Sequence, residues 1–290
     1  MTKRILVLDL EVYPNYFLVQ FKARDNKVVR SFELTESTGR QTLQANDGEQ
    51  PSISQWDVAR MQILGILRTF TIITFNGLDF DMPLLMYALR QGTDNAMLKK
   101  ASDHIIEGGL RGWQFEQEYG VKVPQDIDHI DLKEAIPGPM IGLKQYGGRI
   151  HSKRLQDLPY EPSRVLTRAE MDFVRAYCEN DLDITLDLYE KARDPKDDII
   201  ATREMLTKQY GIDVRSKSDA QIAEAIIRKL VEDKKGERIY RTEVRPGTVF
   251  KYNPPAFLKF RTPMLQQLLQ EIAASPVSYT HLTLPTILLV

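Results

Sequence analysis

Three short stretches carry carboxylates at spacings that could hold a metal ion. They are Asp9-Leu10-Glu11, Asn76-Gly77-Leu78-Asp79-Phe80-Asp81 and Tyr177-Cys178-Glu179-Asn180-Asp181. Hard divalent ions such as Mg2+ and Mn2+ take oxygen ligands, and they keep several waters while binding a few carboxylates. Asp9 and Glu11 are two apart, so on a strand both face one side, as a shared ion requires. Tyr177 and Asp181 are four apart, hence on one face of a helix, whereas Asp183 falls on another face and Asp187 too far along. Each stretch alone is a weak signal. An Asp-x-Glu triplet is expected about once by chance in a chain this long and acidic. Asn-Gly with Asp is ordinary turn chemistry, and a Tyr/Asp pair at helical spacing is usually plain helix surface. Position strengthens the first stretch, because two carboxylates at the end of a buried strand are costly without a cation or hydrogen bonds.

The elements that must position these groups follow from pattern. The aliphatic run Ile5-Leu6-Val7-Leu8 reads as a buried strand with Asp9 and Glu11 at its end. Segments 15–21 and 27–34 flank the polar turn Ala23-Arg24-Asp25-Asn26 and read as an antiparallel hairpin. Residues 36–52 are polar and predict a loop. Trp56, Met61, Leu64, Leu67 and Phe70 recur at helical spacing over 53–70. Thr71-Ile72-Ile73-Thr74-Phe75 is a second buried strand, followed by a helix over 82–90 that Gln91-Gly92 closes. A third core strand is expected over 127–132, then a Pro/Gly-rich connector at 137–148 and a turn at Asp157-Leu158-Pro159. Thr167-Arg168-Ala169-Glu170 is a capping box that opens a long helix to about Lys191. This order predicts an α/β domain with a mixed sheet flanked by helices. Further on, Ser218-Asp219-Ala220-Gln221 opens a helix to about Glu232, strands are expected within 239–250, and Thr262-Pro263 caps a last helix. Residues 196–276 carry no catalytic motif and are expected to form a small, mainly helical appendage.

Composition sets the bounds. At 42% hydrophobic and 27% charged, the 290-residue chain is that of an ordinary soluble globular protein with material for a large core. A net charge of -1 argues against a passive polyanion binder, though not against a nuclease with acids at its centre and cations at its rim. The single cysteine, Cys178, excludes an internal disulfide framework and fits a reducing compartment. His104, His129, His151 and His281 show no zinc-ligand spacing. The apolar run after Lys3-Arg4 is too short for a signal peptide and no stretch approaches a membrane span, so a cytoplasmic location is expected.

Taken together and in this order, the three carboxylate stretches resemble the exonuclease motifs of the DEDD superfamily, in which four acids hold two metal ions over a phosphodiester. Tyr177, four residues before Asp181, resembles the branch that carries Tyr rather than His there. That branch includes the proofreading domains of DNA polymerases and the ribonuclease D-like enzymes. The resemblance spans residues 1–195 and implies a ribonuclease H-like fold. It implies that Asp9, Glu11, Asp81 and Asp181 are the metal ligands, with Asp81 rather than its neighbour Asp79 as the acid of the second motif, and that Asn76 lies close to the substrate. On this resemblance Asp9, Glu11 and Asp181 hold one Mg2+ or Mn2+ ion, Asp9 and Asp81 hold a second, and Tyr177 orients the attacking water. Two such ions about 4 Å apart can activate a water and stabilise the leaving oxygen of an in-line displacement. The stretches Leu143-Lys144 and Asp157-Leu158-Pro159 also resemble polymerase-type exonucleases, without assigning roles.

The implied activity is metal-dependent 3′→5′ hydrolysis of single-stranded or frayed DNA 3′ ends, releasing nucleoside monophosphates, as the proofreading or repair part of a larger replication protein. The alternatives are a ribonuclease D-like enzyme that trims RNA 3′ ends and an inactive nucleic-acid-binding module of the same fold. An unrelated phosphatase or nucleotide enzyme finds no P-loop or dinucleotide glycine pattern. Finally, Val277-Ser278-Tyr279-Thr280-His281-Leu282-Thr283-Leu284-Pro285-Thr286 resembles the in-frame translation of a transposon end used in sequencing libraries. Residues 277–290 are therefore expected to be a non-native tail, and the natural chain to continue into a partner domain, for which a polymerase is the first candidate.

Overall fold

The computed structural model describes residues 3–36, 55–138, 141–240 and 248–275, with the backbone of 277–278. The chain opens with three strands, β1 (Ile5–Tyr13), β2 (Tyr16–Ala23) and β3 (Val29–Leu34). Then come α1 (Gln55–Thr69), β4 (Thr71–Thr74), α2 (Asp81–Ala88), α3 (Asn95–Gly108), α4 (Gly112–Tyr119), β5 (His129–Asp131) and the short α5 (Leu132–Ala135). Helices α6 (Leu143–Arg149), α7 (Arg168–Ala192), α8 (Ile199–Tyr210) and α9 (Asp219–Lys235) follow. Beyond them lie β6 (Val249–Phe250), α10 (Pro263–Ala274) and β7 (Val277–Ser278). By packing, the chain divides within α9 into two compact units, Met1–Lys229 and Leu230–Val290.

In the first unit five strands form one mixed sheet in the order β3-β2-β1-β4-β5. The β1–β2 and β2–β3 pairs are antiparallel, and β1–β4 and β4–β5 are parallel. The chain is thus α/β, as the sequence pattern predicts. Alternation along β1 divides the core in two. Leu6, Leu8 and Leu10 point into a cluster with Ile63 and Leu67 of α1, Leu84 and Leu85 of α2, and Leu98 of α3. Val7 points the other way, into a cluster with Ile73, Ile130 and the Leu182, Leu186 and Tyr189 stripe of α7. Asp9, Glu11 and Tyr13 continue the Val7 face by the period of two. The sheet therefore delivers the first two acids to the side that α7 covers.

Helix α7 begins where its capping box predicts: Thr167 Oγ1 accepts from the Glu170 N–H at 3.4 Å, and the Glu170 carboxylate accepts from the Thr167 N–H at 2.8 Å. Ser218 and Gln221 exchange the same pair of bonds at the start of α9. The stretch expected as a Pro/Gly connector instead contains α6, because Gly147 lets that helix lie against α7. A Cβ there would stand 2.8 Å from Leu155 Cδ2 and 2.9 Å from Ile184 Cγ2. Packing of the first unit extends past residue 195. Ile200 of α8 joins the Val7 cluster, buried Arg203 pairs with Asp219 at 2.7 Å, and Arg215 bridges Asp128 and Asp213 at 2.5 and 2.7 Å.

In the second unit β6 and β7 pair as a two-stranded antiparallel ribbon, and α10 starts with Pro263 after Thr262 as expected. Of the expected non-native tail, Val277–Ser278 forms that strand and residues 279–290 lie outside the described residues. So do 37–54, most of the expected loop, and 241–247 within the expected strands. Among the described residues no helix is long and apolar enough to cross a membrane.

Candidate functional site

Three elements bring four acids together. β1 supplies Asp9 and Glu11, the first turn of α2 supplies Asp81, and α7 supplies Asp181 with Tyr177 and Cys178. Cys178 Sγ lies 3.6 Å from Asp9 Oδ2, and ligand atoms of Asp9, Glu11 and Cys178 all fall within 4.8 Å of one another. Asp81 is only 4% exposed, and its Oδ1 is buried with no hydrogen-bond partner. Asp181, also buried, is ion-paired with Lys144 of α6, and the Tyr177 hydroxyl is near enough to interact with its carboxylate. The Lys144 ammonium stands 4.2 Å from the centre of the Tyr177 ring.

The electrostatics report crowding. Burial, then the charge of Asp181, raises Asp9 to about 7, against the opposing pull of Cys178, the Leu10 N–H and Lys144. Burial raises Glu11 well above the ordinary carboxylate range, with Asp9 and Asp181 adding to it. Burial, Asp9 and Asp131 raise Asp81 in the same way. Asp181 is raised by burial despite Lys144. Four carboxylates so placed cannot all ionise cheaply unless a cation joins them. The unpartnered Asp81 Oδ1 is the oxygen that a cation would satisfy, so the donor set fits an oxygen-seeking divalent ion.

The neighbouring acids are committed elsewhere. Asp79 Oδ1 accepts from the Gly112 N–H at 3.0 Å and its Oδ2 pairs with Arg111 at 2.8 Å, so it anchors the start of α4. Asp183 pairs with the buried amine of Lys22 at 2.7 Å. Asn76 makes its own bonds to Asp131 and Lys133. It holds a positive φ of 70°, its Oδ1 accepts from Lys133 Nζ at 2.7 Å, and its N–H donates to Asp131 Oδ1 at 2.8 Å. With Lys133, Arg111 and Lys217 it lines a cavity of about 480 Å³. Two residues at the centre receive no role from a motif reading. Lys144 is singled out in the sequence only by the Leu143-Lys144 resemblance, which assigns it no role until α6 folds onto α7, and Cys178 looks like a spacer between Tyr177 and Asp181.

In comparison with known proteins, no family model matches this chain and no curated protein matches it significantly.

The crowding predicts how stability varies with pH in the absence of metal. Folded Asp9 keeps its proton up to about 7, while an unfolded aspartate releases it near 3.8. Between those values the folded chain binds more protons, so stability falls as pH rises. Glu11 and Asp81 shift the same way and extend the fall upward. His129 works oppositely: burial lowers it from 6.5 to about 4, so it adds stability with rising pH only below its ordinary value. Above that the acids dominate. The melting temperature in chelator is expected to fall as pH rises past about 6.5, and saturating Mn2+ to restore it. A flat or rising profile in calorimetry would contradict the crowding.

Proposed function

We propose that this chain is a metal-dependent 3′→5′ exonuclease with a ribonuclease H-like fold, acting on single-stranded or frayed DNA 3′ ends and releasing nucleoside monophosphates. The observation that carries the reading is the convergence of Asp9, Glu11, Asp81 and Asp181 from three elements, with one buried carboxylate oxygen left unpartnered. The sheet order, antiparallel on one side of β1 and parallel on the other, supports the fold. A neighbouring polymerase domain and a cytoplasmic setting remain part of the proposal.

Asp9, Glu11, Asp81 and Asp181 would hold Mg2+ or Mn2+, two ions in the full complement. Bound there, such ions lower the pKa of a water and stabilise charge on the leaving oxygen. The residues themselves do the positioning. Lys144 offsets the charge of Asp181 and stands over the Tyr177 ring. Burial and the neighbouring Asp181 and Glu11 push the Tyr177 phenol up, so it stays protonated and acts as a hydroxyl rather than a base. Such a hydroxyl beside Asp181 can orient a water without taking its proton. On the resemblance Asn76 would lie near the terminal nucleotide, with the Lys133 ammonium bonded to its side chain.

The test is a 5′-labelled DNA oligonucleotide incubated with the protein and Mg2+ or Mn2+, which should shorten as a ladder from its 3′ end. Cuts in circular single strands, or no cleavage with either ion, would refute the reading. Faster loss of a matched RNA would move it to the ribonuclease D-like branch. Tyr177→Phe should bind metal normally yet cleave more slowly. Losing one positioning group costs about 10²–10⁴-fold, and the low end is expected here because Tyr177 only orients water. Unchanged turnover would make Tyr177 a packing residue.

A further inference from the structure

Cys178 is the chain's one cysteine. It is fully buried at the edge of an apolar cluster with Tyr13, Leu18 and Val174, and its sulfur also reaches a carboxylate. The Sγ–Oδ2 separation to Asp9 is 3.6 Å, and Glu11 offers an oxygen within the same 4.8 Å cluster. An ion with metal–sulfur and metal–oxygen bonds of about 2.3 and 2.0 Å at tetrahedral angles would set that separation to about 3.5 Å. The sulfur and the Asp9 oxygen are therefore already spaced as a shared ion would hold them. Asp9 and Glu11 are partly exposed, so an ion can reach the buried sulfur past them. A second feature points to a ligand at the same place. Asp81, more than nine-tenths buried, keeps Oδ1 unpartnered and is close enough to Asp9 and Glu11 for their charges to interact.

We propose that Asp9, Glu11 and Cys178 form a mixed carboxylate–thiolate site that captures a thiophilic divalent ion of the zinc class, with Asp81 as the neighbouring carboxylate whose charge such an ion would also offset. Mg2+ gains nothing from sulfur, whereas Zn2+ favours it and accepts three protein ligands with one place open. Capture expels the thiol proton. Zn2+ and Mg2+ would compete for Asp9 and Glu11, so zinc would switch off hydrolysis. That consequence rests on the nuclease reading, whereas the binding does not.

Cobalt(II) alone is the probe. Titrated into the metal-free full chain, it should bind with a sulfur-to-cobalt charge-transfer absorption in the near ultraviolet, which a lone cysteine assigns without ambiguity. Zn2+ should displace it, and Cys178→Ser should lose the band and bind Zn2+ at least tenfold more weakly by calorimetric titration. Cobalt bound to the wild-type chain without that band, or equal zinc affinity in the two proteins, would overturn the site. Should Cys178→Ser fail to fold, the wild-type spectrum decides alone. Absence of cleavage with Mg2+ or Mn2+ would count against the nuclease reading and leave the spectrum as the measure of the thiolate site.

Discussion

Asp9→Asn and Asp181→Asn should each abolish metal-dependent cleavage while moving the stability of the metal-free protein differently. Both substitutions keep side-chain shape and remove a charged ligand. Loss of activity should exceed the roughly 10²–10⁴-fold range of a single proton-transfer group, because an ion site rather than one contact is lost. The thermal effects separate the two positions. Among the described residues no cation pairs directly with Asp9, whose carboxyl is raised to about 7 by burial and by Asp181. Removing its charge relieves repulsion, so metal-free Asp9→Asn should melt higher than the wild type at about pH 8. Asp181 is paired with Lys144, so neutralising it strands an ammonium and should give no such gain. Stabilisation by added Mn2+ should shrink in both. An Asp9→Asn protein that degrades DNA at the normal rate would place the metal centre elsewhere.

The legibility of this chain depends on the range over which each signal acts. The strands with Asp9, Glu11 and their hairpin, the capping boxes at Thr167 and Ser218, and the α/β order are encoded locally, in alternation and in caps that bond within four residues. Helix α3 was equally open to reading: Asp94 accepts from the Met97 N–H at its start, Leu98, Ala101 and Ile105 form its buried stripe, and Gly109 closes it at a φ of 62°. The glycines of α6 misled because chain-breaking is their commoner use. In the fold, Gly147 supplies close contact with α7, which no local pattern contains. The pairing of Lys144 with Asp181 across 37 residues and the seating of α8 against the sheet were invisible for the same reason.

The most consequential contact of that kind lies between α4 and the turn before α2. Gly112 opens α4, and a Cβ there would stand 2.0 Å from the carbonyl oxygen of Leu78 and 3.2 Å from Pro83 Cγ. The carbonyl belongs to a turn with little room to retreat. Asp131 holds the Leu78 N–H at 2.9 Å, and at Gly77 a Cβ would fall 2.2 Å from Thr74 Oγ1, which marks how tightly the turn lies on β4. Asp79 of the same turn accepts from the Gly112 N–H, so a push on Leu78 also pulls on the bond that seats α4. Asp81 follows two residues later. Gly112→Ala is therefore expected to lower stability by about 1–3 kcal/mol or more, near 2–4 °C of melting temperature per kcal/mol in a unit of this size. It should also impair cleavage by displacing Asp81. Gly65→Ala is the matched control. Gly65 is exposed within α1 and a Cβ there meets nothing within 4 Å, so the same substitution should stabilise by about 0.5–1 kcal/mol and leave activity alone. One methyl group thus carries opposite signs at two helical glycines, and equal melting temperatures for the two variants would show that the turn yields to α4 instead of fixing where Asp81 stands.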